Sequence, residues 1–228
     1  MKSQTTIQAV SFDVGGTLIE PWPSVGHIYA EVAAKHGFAQ LAPETLNAAF
    51  KQAWKSCKNF DYTRSGWESL VQQTFGESVH SLPFFPELYE RFTEADAWHV
   101  FDDVLPTLET LASEQVRLIV ISNWDERLRL LLQRLRLYSY FETLVISCEV
   151  GFSKPSPVIF EHAAAKLGLP PQAILHVGDS AEMDLRGACA AGFEAVHLRR
   201  GAKNLQSSEI ASLLELKDVS GNFCTGML

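Results

Sequence analysis

The spacing of apolar and polar positions divides the chain into a first strand, a helical block and a long mixed region. Ala9–Phe12 is a short apolar run that ends at Asp13 and a Gly-Gly turn, a pattern that predicts a buried strand. Between residues 21 and 96, apolar residues recur at helical spacing and predict four helices. The apolar faces contain Val25, Ile28, Tyr29 and Val32, then Leu46, Ala49, Phe50, Ala53 and Trp54, then Trp67, Leu70, Val71 and Phe75, then Leu88, Tyr89 and Phe92. Such aromatic stripes are more typical of the core of a helix bundle than of a ligand-binding site.

After Trp98, strand-like and helix-like segments alternate. The pattern predicts strands at 116–122, 144–147, 174–177 and 194–198, and helices at 105–111, 125–135, 157–167 and 184–191. Alternation of this kind is typical of right-handed crossovers, which build a parallel sheet with helices on both faces. Because the first strand must join the same sheet, the helical block is predicted to be an insertion.

Composition and charge narrow the classes of function. The chain has 228 residues, 46% of them hydrophobic and 20% charged, as in ordinary globular proteins. Its longest apolar runs are far shorter than the roughly 20 residues of a membrane helix. The net charge of −8 argues against nucleic acid or an anionic membrane as the main partner. A cytoplasmic location is the default expectation, and the scattered Cys57, Cys148, Cys189 and Cys224 are expected to be reduced thiols.

Polar residues follow the predicted strands in chain order. Asp13 follows the first strand, with Gly15, Gly16 and Thr17 behind it. The later positions are Ser122-Asn123, Lys154 in a loop, Gly178-Asp179, and Asp184 a helical turn further on. Since ligands of open parallel sheets bind at the carboxyl ends of the strands, an acid, a hydroxyl, a cation and an acid pair are predicted to share one edge.

Each of these residues also has a structural interpretation. Asp13 is compatible with an ordinary strand-end turn, and Ser122-Asn123 with a helix N-cap. Lys154 is compatible with an exposed surface lysine, and Asp184 with an acid at a helix N-terminus. His176 and His197 are interpreted as satisfied sheet residues.

The motifs together resemble the haloacid dehalogenase (HAD)-like superfamily. The resemblance rests on Phe-Asp-Val-Gly-Gly-Thr-Leu at 12–18, Ile-Ser-Asn at 121–123, Lys-Pro at 154–155 and Val-Gly-Asp-Ser-Ala-Glu-Met-Asp at 177–184. It extends over essentially the whole chain, and residues 98–102 and 153–160 look like the haloacid dehalogenase-like hydrolase domain-containing proteins. The resemblance implies an α/β fold, with a Rossmann-like, doubly wound parallel-sheet core at 1–19 and 97–228 and an all-helical cap domain at 20–96.

The resemblance also implies a role for each site residue. Asp13 would be the nucleophile and, with the Gly15 carbonyl and Asp179, a ligand of Mg²⁺. Asp184 would complete the metal site as an outer partner of a metal-bound water or of Lys154, and the ammonium of Lys154 would offset the charge of the phosphate. The remaining implied roles are phosphate binding by Ser122 and the Asn123 backbone, and bracing of the catalytic turn by Thr17. Thr17 is also predicted to be a substrate-binding residue together with Ser122 and Asn123.

One position departs from the phosphatase pattern. Most phosphatases of the superfamily carry an acid/base aspartate two residues after the nucleophile, where this chain has Gly15. Loss of a general acid or base typically costs about 10²–10⁴ in rate. The expected consequences are a slow phosphatase, chemistry at carbon as in phosphonatases or dehalogenases, or a regulatory protein that binds a phosphorylated ligand without turnover. A phosphonatase would need a cap lysine, for which Lys51, Lys55 and Lys58 are the candidates.

The expected function is therefore that of a Mg²⁺-dependent hydrolase, a phosphatase that forms an aspartyl-phosphate on Asp13. The expected partner is a small phosphorylated molecule, and the expected state is a monomer or homodimer. Residues that select the substrate are expected in the cap, with His27, Arg64 and Trp67 as candidates.

Overall fold

The structure is a computed structural model that describes residues 6–57, 60–76, 79 and 82–218. The chain divides into two compact units. The α/β unit comprises Met1–Ile19, Val100–Glu126 and Leu137–Leu228, and the helical unit comprises Glu20–His99 and Arg127–Arg136. The sequence pattern does not indicate that Arg127–Arg136 groups with the helical unit, and the predicted domain limits stay a prediction.

The α/β unit is built on a parallel six-stranded sheet with the order β5-β4-β1-β6-β7-β8. The strands in chain order are β1 (Ala9–Phe12), β2 (Ile19–Pro21), β3 (Trp98–Val100), β4 (Arg117–Ser122), β5 (Thr143–Ile146), β6 (Ile174–Gly178), β7 (Glu194–Leu198) and β8 (Glu209–Ile210), of which β2 and β3 pair separately. The predicted α/β class with a parallel sheet is confirmed. The short edge strand β8 was not predicted, because two residues carry no periodicity.

The register of the sheet brings the predicted site residues to one edge. β1 lies between β4 and β6, and Phe12 is paired with Val120 on one side and Val177 on the other. Asp13, Ser122 and Asp179 therefore follow their paired residues by one or two positions at the same carboxyl edge.

Helices cover the sheet at positions close to those predicted. The helices of the α/β unit are α5 (Val104–Ser113), α7 (Ser147–Val150), α8 (Pro157–Leu167) and α9 (Gly187–Ala190), with π-helical turns at Ala181–Arg186 before α9. The side chain of Ser156 caps α8, and Gly168 ends it in the left-handed conformation. Ile159 and Phe160 of α8 pack against Ile119 and Ile121 of the sheet in a fully buried apolar core.

The helical unit has an apolar core that is rich in aromatic rings. Its helices are α1 (Val25–Lys35), α2 (Pro43–Ser56), α3 (Arg64–Phe75), α4 (Phe85–Arg91) and α6 (Arg127–Arg134). Tyr29 is stacked on Phe75 at 5.6 Å between ring centroids, and both are buried with Leu46 and Leu88. Most positions of the predicted apolar stripes thus lie in the core of this unit, whereas Trp54 is exposed and Ala49 lies outside the core.

Two sequence-based exclusions can be compared with the structure. Over the described residues, none of the helices has both the length and the apolar character that a membrane crossing requires. Cys57, Cys148 and Cys189 are free thiols, and Cys224 lies outside the described residues.

Candidate active site

Asp13 stands at the centre of the site because β1 is the strand between β4 and β6. Its backbone N–H donates to the Val177 carbonyl at 2.9 Å, and its side chain is 11% exposed. Its Oδ1 accepts hydrogen bonds from Ser122 Oγ at 2.9 Å and from Lys154 Nζ at 2.7 Å. Among the described residues, none donates to Oδ2. One carboxylate oxygen is therefore fixed and the other is available for chemistry.

The turn after Asp13 depends on a glycine at position 16. Gly16 has a φ of +78°, and a Cβ placed there would lie 2.3 Å from Asp179 Oδ2. A side chain at position 16 would therefore be strained by the backbone conformation and would force the Asp179 carboxylate to move. Thr17 is fully buried, and its Oγ1 has no hydrogen-bond partner within the described part of the chain. The predicted contact of Thr17 with a substrate would need its buried hydroxyl to become accessible.

Lys154 reaches Asp13 from a loop between α7 and α8. Its side chain is 2% exposed, so the interpretation as a surface lysine is wrong. The side-chain amide of Asn123 holds the loop from both sides: Nδ2 donates to the Lys154 carbonyl at 3.0 Å and Oδ1 accepts from the Lys154 N–H at 2.7 Å. Burial opposes a charge on Lys154, but Asp13 and Asp184 outweigh it and hold the pKa of the ammonium above its ordinary value.

Asp184 is buried, and both of its carboxylate oxygens are occupied. Oδ1 accepts from Lys154 Nζ at 2.5 Å and lies 3.1 Å from His176 Nε2, and Oδ2 accepts from the Ser180 N–H at 2.9 Å. Burial acts to raise its pKa, but Lys154 and then His176 lower it below the ordinary value. A Cβ at Gly178 would lie 2.1 Å from its Cγ, so this carboxylate needs a glycine beside it. Because both oxygens already accept hydrogen bonds, Asp184 is better suited to hold a ligand of a cation than to bind the cation directly.

Asp179 differs from its neighbours because it is exposed and its carboxylate receives no hydrogen bond from another described residue. Loss of hydration and the charges of Asp13 and Asp184 raise its pKa to about 7. Asp13, Asp179 and Asp184 each offer an oxygen within 4.8 Å of the others. Since Lys154 is the ammonium among these three carboxylates, the cluster keeps an excess of negative charge. Hard oxygen donors with excess negative charge are what a divalent cation such as Mg²⁺ requires.

Position 15 has no side chain, but it is not open space. A Cβ at Gly15 would lie 3.2 Å from Cζ3 of Trp124, which is tighter than an ordinary contact. The backbone N–H of Trp124 donates to Ser147 Oγ at 3.0 Å. An indole therefore lies where a phosphatase of the resembled type has its acid.

Two supports of the site were not predicted. His197 Nε2 lies 3.0 Å from the Asp179 carbonyl, to which it donates. Arg200 donates to the Thr17 carbonyl at 2.6 Å and to both oxygens of Asp103 at 2.9 and 3.0 Å. Neither contact has a sequence signal, because the partners lie on separate strands and loops.

Comparison with known proteins gives the family. A model of the haloacid dehalogenase-like hydrolases matches residues 7–192, most of the chain. The haloacid dehalogenase-like hydrolase domain-containing protein 3 of Bos taurus is 31% identical in an alignment 209 positions long, which covers 86% of this chain and 83% of the relative. The chain belongs to the haloacid dehalogenase-like hydrolases.

The further similarities of this hydrolase include proteins named as phosphatases and others named as dehalogenases, such as a 2-haloacid dehalogenase from Pseudomonas syringae whose structure is 25% identical, with a TM-score of 0.66 over 94% of this chain and 98% of that one. A glyceraldehyde 3-phosphate phosphatase of Methanopyrus kandleri is 37% identical over 107 residues, 44% of each chain. The structure of a HAD phosphatase from Thermococcus onnurineus is 25% identical, with a TM-score of 0.68 over 95% of this chain and 99% of that one. The predicted superfamily and fold are confirmed.

The candidate cap residues of this hydrolase lie in the helical unit. Arg64 is placed over the Tyr89 ring at 5.0 Å, and Arg127 lies over both Tyr89 and Trp67 at 3.4 and 5.7 Å. His27 is exposed and its Nδ1 lies 2.8 Å from Ser24 Oγ. Of the candidate lysines, Lys51 and Lys55 are exposed on α2, as in a solvated helix face, and Lys58 lies outside the described residues.

Proposed function

We propose that this hydrolase is a Mg²⁺-dependent phosphatase that acts on a small phosphorylated molecule through an aspartyl-phosphate on Asp13. The observation that carries the proposal is the convergence of Asp13, Lys154, Asp179 and Asp184 at one sheet edge. The relatives named as phosphatases support the choice of phosphate as the group transferred.

Asp13 is suited to attack because its two oxygens have different surroundings. Ser122 and Lys154 fix Oδ1, which leaves Oδ2 to approach the phosphorus atom. Attack by one anion on another needs a compensating positive charge, and the buried ammonium of Lys154 supplies one beside the nucleophile. The raised pKa of Lys154 keeps it charged at physiological pH.

Mg²⁺ would be held by the Asp13 carboxylate, the Gly15 carbonyl and Asp179, with Asp184 as an outer partner. When bound, the ion neutralises charge on the phosphate oxygens. The raised pKa of Asp179, to about 7, supports this assignment because the cluster is short of positive charge. The Asn123 backbone would donate to the phosphate oxygens, while the Asn123 side chain keeps the Lys154 loop in place. The single proton of Ser122 Oγ goes to Asp13 Oδ1, so this hydroxyl would have to turn from Asp13 to donate to the phosphate.

Gly15 restricts the leaving group. No side chain at this position can protonate the departing oxygen or activate water for hydrolysis of the aspartyl-phosphate, and Trp124 occupies the adjacent space. Turnover is then expected to be slow and to favour leaving groups that need little protonation, such as those of aryl or acyl phosphates.

The test compares Asp13→Asn with Asp102→Asn, which alters an exposed aspartate of the same unit. With p-nitrophenyl phosphate and Mg²⁺, Asp13→Asn should lower kcat by at least about 10³-fold, because no equivalent nucleophile remains. Asp102→Asn and the wild type should be equal, and a chelator should abolish turnover. Activity of Asp13→Asn near the wild-type level would rule out Asp13 as the nucleophile. A phosphate-release screen of metabolites with the wild type would identify the substrate.

A second candidate is a regulatory protein that binds a phosphorylated ligand without turnover, and the observation that favours it is the absence of an acid at Gly15. It predicts Mg²⁺-dependent ligand binding with no phosphate release from any phosphoester. The carbon chemistries have less support. A dehalogenase would not need the acidic cluster, and a phosphonatase would release phosphate from phosphonoacetaldehyde in a reaction blocked by borohydride.

A further inference from the structure

His176 is a fully buried histidine that contacts the site from inside the sheet. It lies on β6, where its Nε2 is 3.1 Å from Asp184 Oδ1 and its Nδ1 is 2.9 Å from Ser11 Oγ on β1. The edge of its ring packs against Phe160 at 5.2 Å between centroids. An imidazole with a polar partner on each nitrogen and an aromatic ring beside it is held in one orientation.

The partners determine which nitrogen carries the proton. A carboxylate only accepts hydrogen bonds, so Nε2 is the donor to Asp184 Oδ1. Its Nδ1 lies 2.9 Å from Ser11 Oγ, and the Ser11 hydroxyl donates to the Leu175 carbonyl at 3.3 Å.

The Nε2–H bond acts on the site through Asp184. The oxygen that receives it is the one that accepts from Lys154 Nζ, while the other oxygen is held by the Ser180 N–H. Lys154 bridges the same Asp184 oxygen to Asp13 Oδ1. A rotation of the Asp184 carboxylate would therefore move the ammonium beside the nucleophile.

We propose that His176 is a positioning residue that orients Asp184 through Nε2–H, and thereby fixes the Lys154 ammonium and the outer part of the metal site. This inference rests on the proposed Mg²⁺ site. His176 is fully buried and contacts the site through Asp184, so it acts through that residue. Partners of this kind typically change metal affinity or activity by about 10–100-fold when they are lost.

The test uses two amides that differ in reach. In His176→Gln the amide nitrogen extends as far as Nε2, whereas in His176→Asn it extends only as far as Nδ1, towards Ser11. Titration with Mg²⁺ in a calorimeter should give Gln an affinity within about threefold of the wild type and Asn a loss of about 10–100-fold. With p-nitrophenyl phosphate, kcat should fall in the same order while KM stays unchanged. Ser11→Ala, which leaves the Nε2–H bond intact, should stay within about threefold.

Each result decides the inference. Wild-type Mg²⁺ affinity in His176→Asn, or equal losses in both amide variants, would reduce His176 to a packing residue. A wild type that binds no Mg²⁺ would overturn the proposed metal site and this inference together, whereas retained binding in all variants overturns the inference alone. A long-range ¹H–¹⁵N NMR spectrum of the wild type tests it without any variant: a protonated Nε2 is expected, and a protonated Nδ1 with a bare Nε2 would contradict it.

Discussion

The α/β unit contains two aspartate clusters that differ in their balance of charge. At Asp103, Arg200 donates to both carboxylate oxygens, and Ser212 Oγ and the Leu213 N–H add two bonds of 2.8 Å to Oδ2. Burial opposes it, but these donors lower the pKa of Asp103. At Asp179, by contrast, lost hydration and two neighbouring carboxylates raise the pKa to about 7.

The contrast distinguishes Asp103, whose charge is matched by donors within the protein, from Asp179, whose charge is not. Asp103 joins the start of α5 to residues 212 and 213, and Arg200, stacked at 3.8 Å on Phe101, extends the cluster to the Thr17 carbonyl. All of its charge is matched within the protein. Asp13, Asp179 and Asp184 share one ammonium, and groups left in this condition are enriched at functional sites.

Lys154→Met should have the largest effect on kcat, because it removes the ammonium from the cluster of Asp13, Asp179 and Asp184. We expect kcat with p-nitrophenyl phosphate to fall by about 10²–10³-fold, since the ammonium stabilises charge beside the nucleophile. Lys166→Met, an exposed lysine of α8, is the matched control and should not change kcat. A loss of kcat of less than tenfold in Lys154→Met would show that the ammonium does not take part in catalysis.

Asp103→Ala should damage stability instead of catalysis. It leaves the guanidinium of Arg200 without its counter-ion, and we expect about 2–3 kcal/mol of lost stability, or roughly 4–12 °C in Tm. Asp102→Ala, at the exposed neighbouring position, should leave the Tm unchanged. The comparison fails if Asp103→Ala lowers kcat of the folded protein as much as Lys154→Met does.

Gly15→Asp should return the missing acid and raise kcat. We expect a gain of roughly tenfold for alkyl phosphates, at the low end of general acid catalysis because the Trp124 ring must shift to admit the side chain. Gly15→Asn has the same size without the acid and should give no gain. Equal rates for the two variants would show that another group supplies the proton.

The smallest expected effect is the pH dependence of the metal-free protein. Because the folded-state pKa of Asp179 is about 7, above its ordinary 3.8, its stabilising contribution is complete below pH 4 and is lost as the pH rises towards 7. In a chelator, Asp179→Asn should flatten this decline by roughly 1–3 °C in Tm, since the carboxylate is exposed and screened. Thermal unfolding of both proteins between pH 4 and 8 measures this difference in Tm. Identical profiles would contradict the statement that the charge of Asp179 is uncompensated.

The sequence predicted those parts of the site that lie next to strand ends. Asp13, Ser122, Lys154, Asp179 and Asp184 were singled out because a parallel sheet brings such positions to one edge. Their detailed contacts depend on side-chain directions that no spacing encodes. His176 was correctly interpreted as a satisfied sheet residue, but its partner Asp184 could be found only in three dimensions.

The fold was also predictable only where the sequence carries a local signal. The helix at 157–167 was predicted at its observed bounds, because Ser156, Pro157 and Gly168 mark both ends. The predicted helix at 184–191 instead begins with π-helical turns at Ala181–Arg186, where Asp184 is drawn inward by Lys154 and His176. The bond between Arg200 and Thr17 spans 183 positions, beyond any local pattern.

The adjacent glycines of the catalytic turn have opposite tolerances for change. Position 16 is constrained by its positive φ and because any larger residue would displace the Asp179 carboxylate, whereas position 15 is restrained only by the indole ring of Trp124. A mutant library built on this scaffold can therefore diversify residues 15 and 124 as a coupled pair while keeping residue 16 constant. That pair offers a route by which one sheet edge acquires new reactions without rebuilding the acidic cluster of Asp13, Asp179 and Asp184.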